Sequence, residues 1–346
     1  MLTKPMKRWT SLLTVALIGT SVLAGCSQDS ASQPADETAA GETCAPELTA
    51  LDFGIISTES QANLKPLWEP FLEAMAAELG RPVNGFYATD YAGVIEAMGA
   101  GKLQLAWYGG KSYIEAAERS NAEAFAQTVA EDGSKGYYAH LISNKENPIV
   151  QEIDLAQGNG DEYVVENSQD LTFAFNDPNS TSGFLVPTYY VFAQKGVNPN
   201  TAFKQLLFAG SHEATAQAVA NNQVDVATNN NESMARLQES DPAAFERVQI
   251  IWTSPEIPSD PIAYRKDLPD CMKEQLQDFF YTYQDEAVLA PLQWDGFVPA
   301  DDATWNTIRE LEIAKDILEV QNDANLNAEA KQQKLDELNQ KLEALK

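Results

Sequence analysis

Positive charge is what this chain most lacks. Its 23 lysines and arginines face 51 aspartates and glutamates, a formal net charge of −28. That balance excludes a nucleic-acid reader and a protein that docks on anionic lipid by charge, since both need the opposite sign. An anion held here must be held by local dipoles and hydroxyls rather than by a basic patch. Histidine is nearly as scarce, at two residues, and cysteine stops at three. With no Cys-x-x-Cys pair and no His/Cys cluster, no metal and no other cofactor is expected. Long apolar runs are missing too. The run Leu12–Leu23 is too short for a good membrane span, and no later run is long enough.

What is present at the N-terminus is a targeting pattern. Lys4, Lys7 and Arg8 precede the apolar run, which ends in Leu23-Ala24-Gly25-Cys26. Residues 1–25 read as a signal peptide. Small residues before a cysteine resemble a bacterial lipobox, so Cys26 is the expected lipidation site. The protein is then exported, periplasmic or at the cell surface, and tethered through lipid. Residues 26–47 carry acids but no lysine or arginine, and nothing in them can build a core, so they read as a disordered tether. Cys44 and Cys271 remain; outside the cytoplasm they are a candidate disulfide.

The rest of the chain is long enough for two domains. Strand and helix signals alternate, which predicts α/β lobes with mostly parallel sheets. Leu51–Ile56 reads as a strand. Leu64, Leu67, Trp68, Phe71, Leu72, Met75 and Leu79 mark one face of a helix that stops at Gly80 and Pro82, with Pro70 expected to kink it. Asp90 is placed to cap the next helix. Gly158–Glu162 reads as a surface insertion. The Pro-rich run 253–261 reads as an extended crossing. These signals divide the chain into a first lobe (48–143 and 253–315), a second lobe (144–252) and a helical extension (316–346). Two connections between lobes make a hinge, and a cleft between lobes favours a ligand. Leu335, Leu338, Leu342 and Leu345 form a narrow apolar seam, expected to pack back on the body.

One stretch carries chemistry. Leu-Thr-Phe-Ala-Phe-Asn-Asp-Pro-Asn-Ser-Thr-Ser-Gly-Phe, residues 171–184, reads as a strand, a tight turn and the opening of a helix. Free amides at a helix start favour an anion. Ser180, Thr181 and Ser182 add hydroxyl donors, and Gly183 lets the backbone approach. Tyrosines and a tryptophan stand at other strand ends, in Asp90-Tyr91-Ala92-Gly93, Trp107-Tyr108-Gly109 and Gly136-Tyr137-Tyr138, where ligands sit in open sheets. Two acids matter by position. Glu232 follows the strand ending at Thr228, and Asp260 lies in the Pro-rich crossing.

Those blocks carry a resemblance. Phe53–Gln61, Asp90–Gly93, Ala106–Gly109, Asp177–Pro187 and Gln223–Asn230 resemble the phosphonate-binding proteins of ABC importers, the PhnD family. The likeness covers roughly residues 50–315. It implies a type II periplasmic-binding fold, two α/β lobes that close on a ligand, and no enzymatic activity. It implies phosphonate contacts from Ser180, Thr181, Ser182, Tyr91 and His212. It implies that Glu232 and Asp260 surround the amine of a 2-aminoethylphosphonate-like ligand, with Tyr137 along the alkyl chain. His212 stands in Ser-His-Glu where the family has Gly-His-Glu. The implied partners are the ABC permease and its ATPase, and the protein is expected to be a monomer.

Rival readings keep the fold with phosphite, phosphate or an alkylphosphonate, turn the protein into a phosphonate-processing enzyme, or make it a chemoreceptor-linked sensor. An enzyme would need a metal cluster, an activated cysteine or a Schiff-base lysine. Lys111, near Tyr108, is the nearest candidate base and is expected to face solvent.

Overall fold

Short apolar runs bounded by turns become the strands of two mixed sheets in a computed structural model that describes residues 44–345. The expected signal peptide, Cys26 and most of the tether lie outside the described residues. The first sheet has six strands: β1 (Leu51–Ile55), β2 (Val83–Tyr87), β3 (Leu105–Trp107), β4 (Ala122–Ala130), β12 (Pro261–Arg265) and β13 (Trp294–Pro299), in the order β13-β4-β12-β3-β1-β2. The second has five: β6 (Ala139–Asn144), β7 (Thr172–Phe175), β8 (Gln205–Phe208), β9 (Val226–Asn230) and β10 (Val248–Thr253), in the order β10-β6-β9-β7-β8. A third, two-stranded ribbon joins the lobes. Its strands β5 (Gly136–Tyr137) and β11 (Ile257–Pro258) lie in the two crossings and pair antiparallel, Ile257 opposite Tyr137.

Neither large sheet is mostly parallel. β2, β1 and β3 run parallel, but β12 enters antiparallel between β3 and β4, and β13 is antiparallel to β4. In the second sheet β8, β7 and β9 run parallel, and β6 enters antiparallel between β9 and β10. The physical reason is the double crossing. A strand that arrives from the other lobe meets the sheet from its ligand end, so it runs against its neighbours. For the same reason β6 belongs to the second sheet, whereas the sequence reading kept residues up to 143 with the first.

Helix α1 (Gln61–Leu79) shows how packing sets local structure. It buries Leu64, Trp68, Phe71, Leu72 and Met75 along one face and ends at Gly80 with φ 63°, the left-handed value glycine tolerates. It continues through both Pro66 and Pro70. Each interior proline costs helix stability; the apolar burial outweighs this, because tertiary packing supplies most helical stability in proteins. Trp68 and Phe71 stack into a cluster with Phe53, Phe279, Phe280, Trp294 and Phe297. The second lobe is built around Phe173, Phe175, Phe192 and Phe203.

The remaining long helices are α2 (Tyr91–Gly99), α3 (Gly110–Arg119), α4 (residues 181–192), α5 (His212–Ala220), α6 (Asn231–Ser240), α7 (Asp270–Thr282), α8 (Asn306–Asn322) and α9 (Ala328–Ala344). Three expectations change. The Gly158–Glu162 stretch is the start of a helix, Gly160–Glu166, and not a free insertion. A Cβ at Gly160 would sit 2.0 Å from the Ile251 carbonyl oxygen, so that helix packs hard on β10. The C-terminal helical region begins at 306 rather than 316. α8 packs against both α3 and α4, and α9 folds back on α8. The tether's last residues are ordered, since Arg81 donates to the carbonyls of Cys44, Ala45 and Leu48. Cys44 is disulfide-bonded to Cys271 of α7, with Cα atoms 5.9 Å apart.

Candidate functional site

Strand β7 delivers the chain into a turn braced by its own side chains. Asp177 accepts from the amide of Asn179 at 2.7 Å through its carboxylate and from the amide of Ser180 at 2.9 Å through its carbonyl. Ser180 Oγ then accepts from the Gly183 amide at 3.0 Å, a side-chain cap on α4. The first turn is wider than an α turn. The Leu185 amide reaches back five residues to the Ser180 carbonyl at 3.1 Å, a π-helical closure of the kind found at functional sites. Glycine at 183 is required, because a Cβ there would lie 2.4 Å from Asn176 Cβ. The amides of Thr181 and Ser182 have no acceptor within the helix, by the geometry of any helix start.

The hydroxyls of this turn are met by polar groups from other elements. Ser182 Oγ accepts from Asn230 Nδ2 at 3.1 Å and lies 3.5 Å from His212 Nε2. Thr181 Oγ1 accepts from the Lys111 amide at the start of α3, in the first lobe, at 2.9 Å. Tyr91 opens α2, which Asp90 caps through Gly93 at 2.7 Å, and its hydroxyl lies 3.5 Å from Asn176 Nδ2. Burial pushes the Tyr91 hydroxyl pKa well above its usual value, so the group is a neutral donor. His212 opens α5 and is 2 % exposed. Burial, with the Arg236 cation nearby, takes its pKa down to about 3, so this imidazole is uncharged at neutral pH.

The opposite side is acidic. Glu232 sits in the first turn of α6, a helix capped by Asn230 through the Ser233 amide at 2.7 Å. Asp260 ends the second crossing, its carbonyl tied to the Thr128 amide at 3.0 Å. Burial raises both carboxyl pKa values. Asp260 goes well above the carboxylate range, because Glu232 adds like-charge repulsion, while Arg236 opposes the rise at both acids. Tyr137, on β5, is buried between the two sides. Its raised pKa comes from burial first and then from the charges of Asp260 and Glu232, and its hydroxyl also faces Thr181 and Ser182.

All eight ligand residues proposed from sequence, Ser180, Thr181, Ser182, Tyr91, His212, Glu232, Asp260 and Tyr137, line one narrow cavity between the lobes. Larger surface hollows run along α8 and α9; one is lined by mixed charges such as Arg309, Lys341, Glu312 and Asp316, but neither holds a helix-start hydroxyl turn facing a buried acid. Among the described residues Thr58 Oγ1 and His212 Nδ1 have no partner, and Trp107 Nε1 and Asp260 Oδ1 make no well-formed bond although they face each other. Buried polar atoms are rarely left unpaired, so this cluster marks where a polar ligand belongs.

The sequence reading placed Trp107 at a ligand-facing strand end without a role and missed Arg236, Asn230 and Thr58 as lining residues. Arg236 had a legible signal. It lies four residues after Glu232 on α6, hence on the same helix face. It pairs with Glu59 of the first lobe and also donates to Ser233 Oγ at 3.2 Å. Lys111 is corrected. It does not face solvent but is 5 % exposed, with Nζ 2.6 Å from Glu312 of α8 and 3.6 Å from Glu115. No described helix is long and apolar enough to cross a membrane.

Comparison with known proteins agrees with this geometry. A family profile described as ABC transporter, phosphonate, periplasmic substrate-binding protein matches residues 53–305. The chain is 47% identical over 300 residues to the phosphonates-binding periplasmic protein of Escherichia coli K12, covering 86% of each chain. It is similar to a crystal structure from Pseudomonas aeruginosa, a binding protein component of an ABC phosphonate transporter, with 47% identity and TM-score 0.81 over 86% of this chain and 96% of that one. A Prochlorococcus marinus protein solved with methylphosphonate, at 22% identity and TM-score 0.67 over 76% of this chain and 97% of that one, shares the fold.

Proposed function

The chain belongs to the family of periplasmic substrate-binding proteins of phosphonate ABC transporters, and we propose that its own ligand is an aminoalkylphosphonate, best matched by 2-aminoethylphosphonate. The fold is the two-lobed type II binding-protein fold, and the family's role is to bind and deliver substrate, not to catalyse.

The observation that carries the ligand reading is the polarity of one small cavity. Neutral donors converge on one side, from the Ser180–Ser182 turn, Tyr91 and His212, and two carboxylates face them from the other. A phosphonate at the α4 start would receive the amides of Thr181 and Ser182, the hydroxyls and the helix dipole. With Asn230 Nδ2 3.4 Å from His212 Nε2, the ring proton belongs on Nδ1, whose N–H then serves the anion. An ammonium between Glu232 and Asp260 relieves the repulsion that raises their pKa values. Tyr137 covers the short carbon chain, with its hydroxyl toward the phosphonate. A plain anion such as phosphate, phosphite or methylphosphonate gains nothing from the two acids and is repelled by whichever is ionised.

Isothermal calorimetry with 2-aminoethylphosphonate, methylphosphonate, phosphite and phosphate tests this. The aminophosphonate should bind tightest. Equal or tighter binding of the amine-free ligands removes the role given to the acids and favours the plain-anion reading. We further propose that the exported protein is lipid-anchored through Cys26, acts as a monomer and hands its ligand to the permease. Mass spectrometry of the mature N-terminus checks the anchor; an unmodified Cys26 would refute it.

A further inference from the structure

The rim of the cleft holds a second arrangement, which shares Thr58, His212 and Arg236 with the cavity lining but adds Glu59, Ser60, Asn63 and Glu213 outside it. Three consecutive residues of the first lobe, Thr58, Glu59 and Ser60, each bond to the second lobe. The Thr58 carbonyl accepts from the amides of His212 and Glu213, at 2.9 and 3.3 Å, and so caps the start of α5. Glu59 pairs with Arg236 of α6. The Ser60 amide donates to Glu213 Oε2 at 2.8 Å, and Asn63 Nδ2 donates to Glu213 Oε1 at 3.0 Å.

Helix α1 has no side-chain cap of its own. Ser60 is its N-cap, but the Ser60 side chain makes no capping bond, and the first turn of α1 holds no acid. The cap comes instead from Glu213, 153 residues away in the other lobe. An anion at a helix start is stabilising, and here it is available only while the lobes are together. The exchange is mutual, since α5 takes its first acceptor from the first lobe. Periplasmic binding proteins close by hinge motion, and a bond made only in the closed state adds to closure whatever the ligand.

We propose that the two lobes exchange helix caps on closure, with Glu213 as a positioning residue that stabilises the closed cleft without touching the ligand. Its bonds to Ser60 and Asn63 hold α5, and therefore His212, against the site. The proposal does not depend on which anion the cleft prefers.

The test uses the mature full-length chain and the variants Glu213→Ala, Glu213→Gln and Asn63→Ala. Affinities for 2-aminoethylphosphonate and methylphosphonate are measured with stopped-flow rates, and small-angle scattering is recorded with no ligand added. Glu213→Ala should weaken both ligands by the same factor, roughly threefold to thirtyfold for a half-exposed charge-assisted bond. The loss should fall on dissociation with association unchanged, and the unliganded particle should expand. Glu213→Gln keeps one acceptor oxygen and should recover part of the loss, and Asn63→Ala should show a smaller uniform loss. Unchanged dissociation and unchanged scattering in Glu213→Ala would overturn the clasp, as would a loss confined to one ligand. A failure of the ligand reading itself would show instead in the wild-type preference between the two phosphonates, with the scattering result still deciding the clasp.

Discussion

The two sides of the cavity solve opposite problems with opposite means. On the α4 side every group is uncharged: amides at a helix start, serine and threonine hydroxyls, a neutral imidazole and a tyrosine held protonated by burial. On the α6 side the half-buried Glu232 and the buried Asp260 carboxylates stand together and are pushed toward protonation. The hydroxyls of the neutral side are held in place before any ligand arrives, by Asn176, Lys111 and Asn230, while the Thr181 and Ser182 amides and His212 Nδ1 stay open. The acidic side is strained by like charge. For the proposed ligand, the difference means that in so acidic a chain preorganised dipoles would gather the anion, while relief of like-charge repulsion would select the cation. Arg236 tests this contrast, being a full positive charge in the cavity lining that is committed to Glu59 rather than free for an anion.

The contrast predicts separable losses. Replacing Ser180, Thr181 and Ser182 together by alanine should abolish the neutral side. Three bonds to a charged ligand at about 1.5–3 kcal/mol each imply at least about a thousandfold loss for every phosphonate, read by calorimetry. Retained affinity would mean that the anion sits elsewhere. Glu232→Gln or Asp260→Asn should cost an aminophosphonate about 2–5 kcal/mol, as for one member of a buried charge pair, yet leave methylphosphonate as tight or tighter. Parallel losses for both ligands would erase the division of labour.

Next in size is Glu59→Ala. It frees Arg236 to pair with Glu232 four residues away, so the preference for the amine should shrink by roughly tenfold. A preference that stays unchanged in competition calorimetry would show that Arg236 has no hold on the acids.

The smallest effect is on stability against pH. His212 and His140, the chain's two histidines, are both buried, with pKa values lowered to about 3 and about 4, mainly by burial. In the unfolded chain each titrates near 6.5. Between those values the unfolded state binds more protons. Their contribution is therefore complete above about pH 6.5 and is lost as pH falls, at about 1.4 kcal/mol per pH unit for each histidine. The buried acids run the other way: a raised folded pKa means that the folded state binds more protons above about pH 4, which partly offsets the loss. Urea melts from pH 7 to 5 should show a decline that His140→Gln roughly halves; a flat profile in both proteins would contradict neutral buried imidazoles.

How much of this was legible in the sequence depended on whether the cause was local. The Ser180–Gly183 turn, the Asp90 cap and the Gly80 stop are local chemistry, and they stand where the residues put them. β4 was not legible, because Ala-Glu-Ala-Phe-Ala-Gln is rich in helix formers and becomes a strand only between β12 and β13. The mixed direction of both sheets follows from the double crossing, which no short window of sequence contains. Arg236 carried no motif, and Glu213 entered only as the end of the Ser-His-Glu block. Their meaning comes from Glu59, Ser60 and Asn63, more than a hundred residues earlier, and the packing of one lobe against the other brings these together.

The most direct measurement is a crystal structure of the mature protein with 2-aminoethylphosphonate. The account predicts phosphonate oxygens within hydrogen-bond distance of Ser180, Thr181, Ser182 and His212, and the ammonium between Glu232 and Asp260. A phosphonate resting on the Arg236 guanidinium, with the amine turned toward the α4 turn, would contradict it.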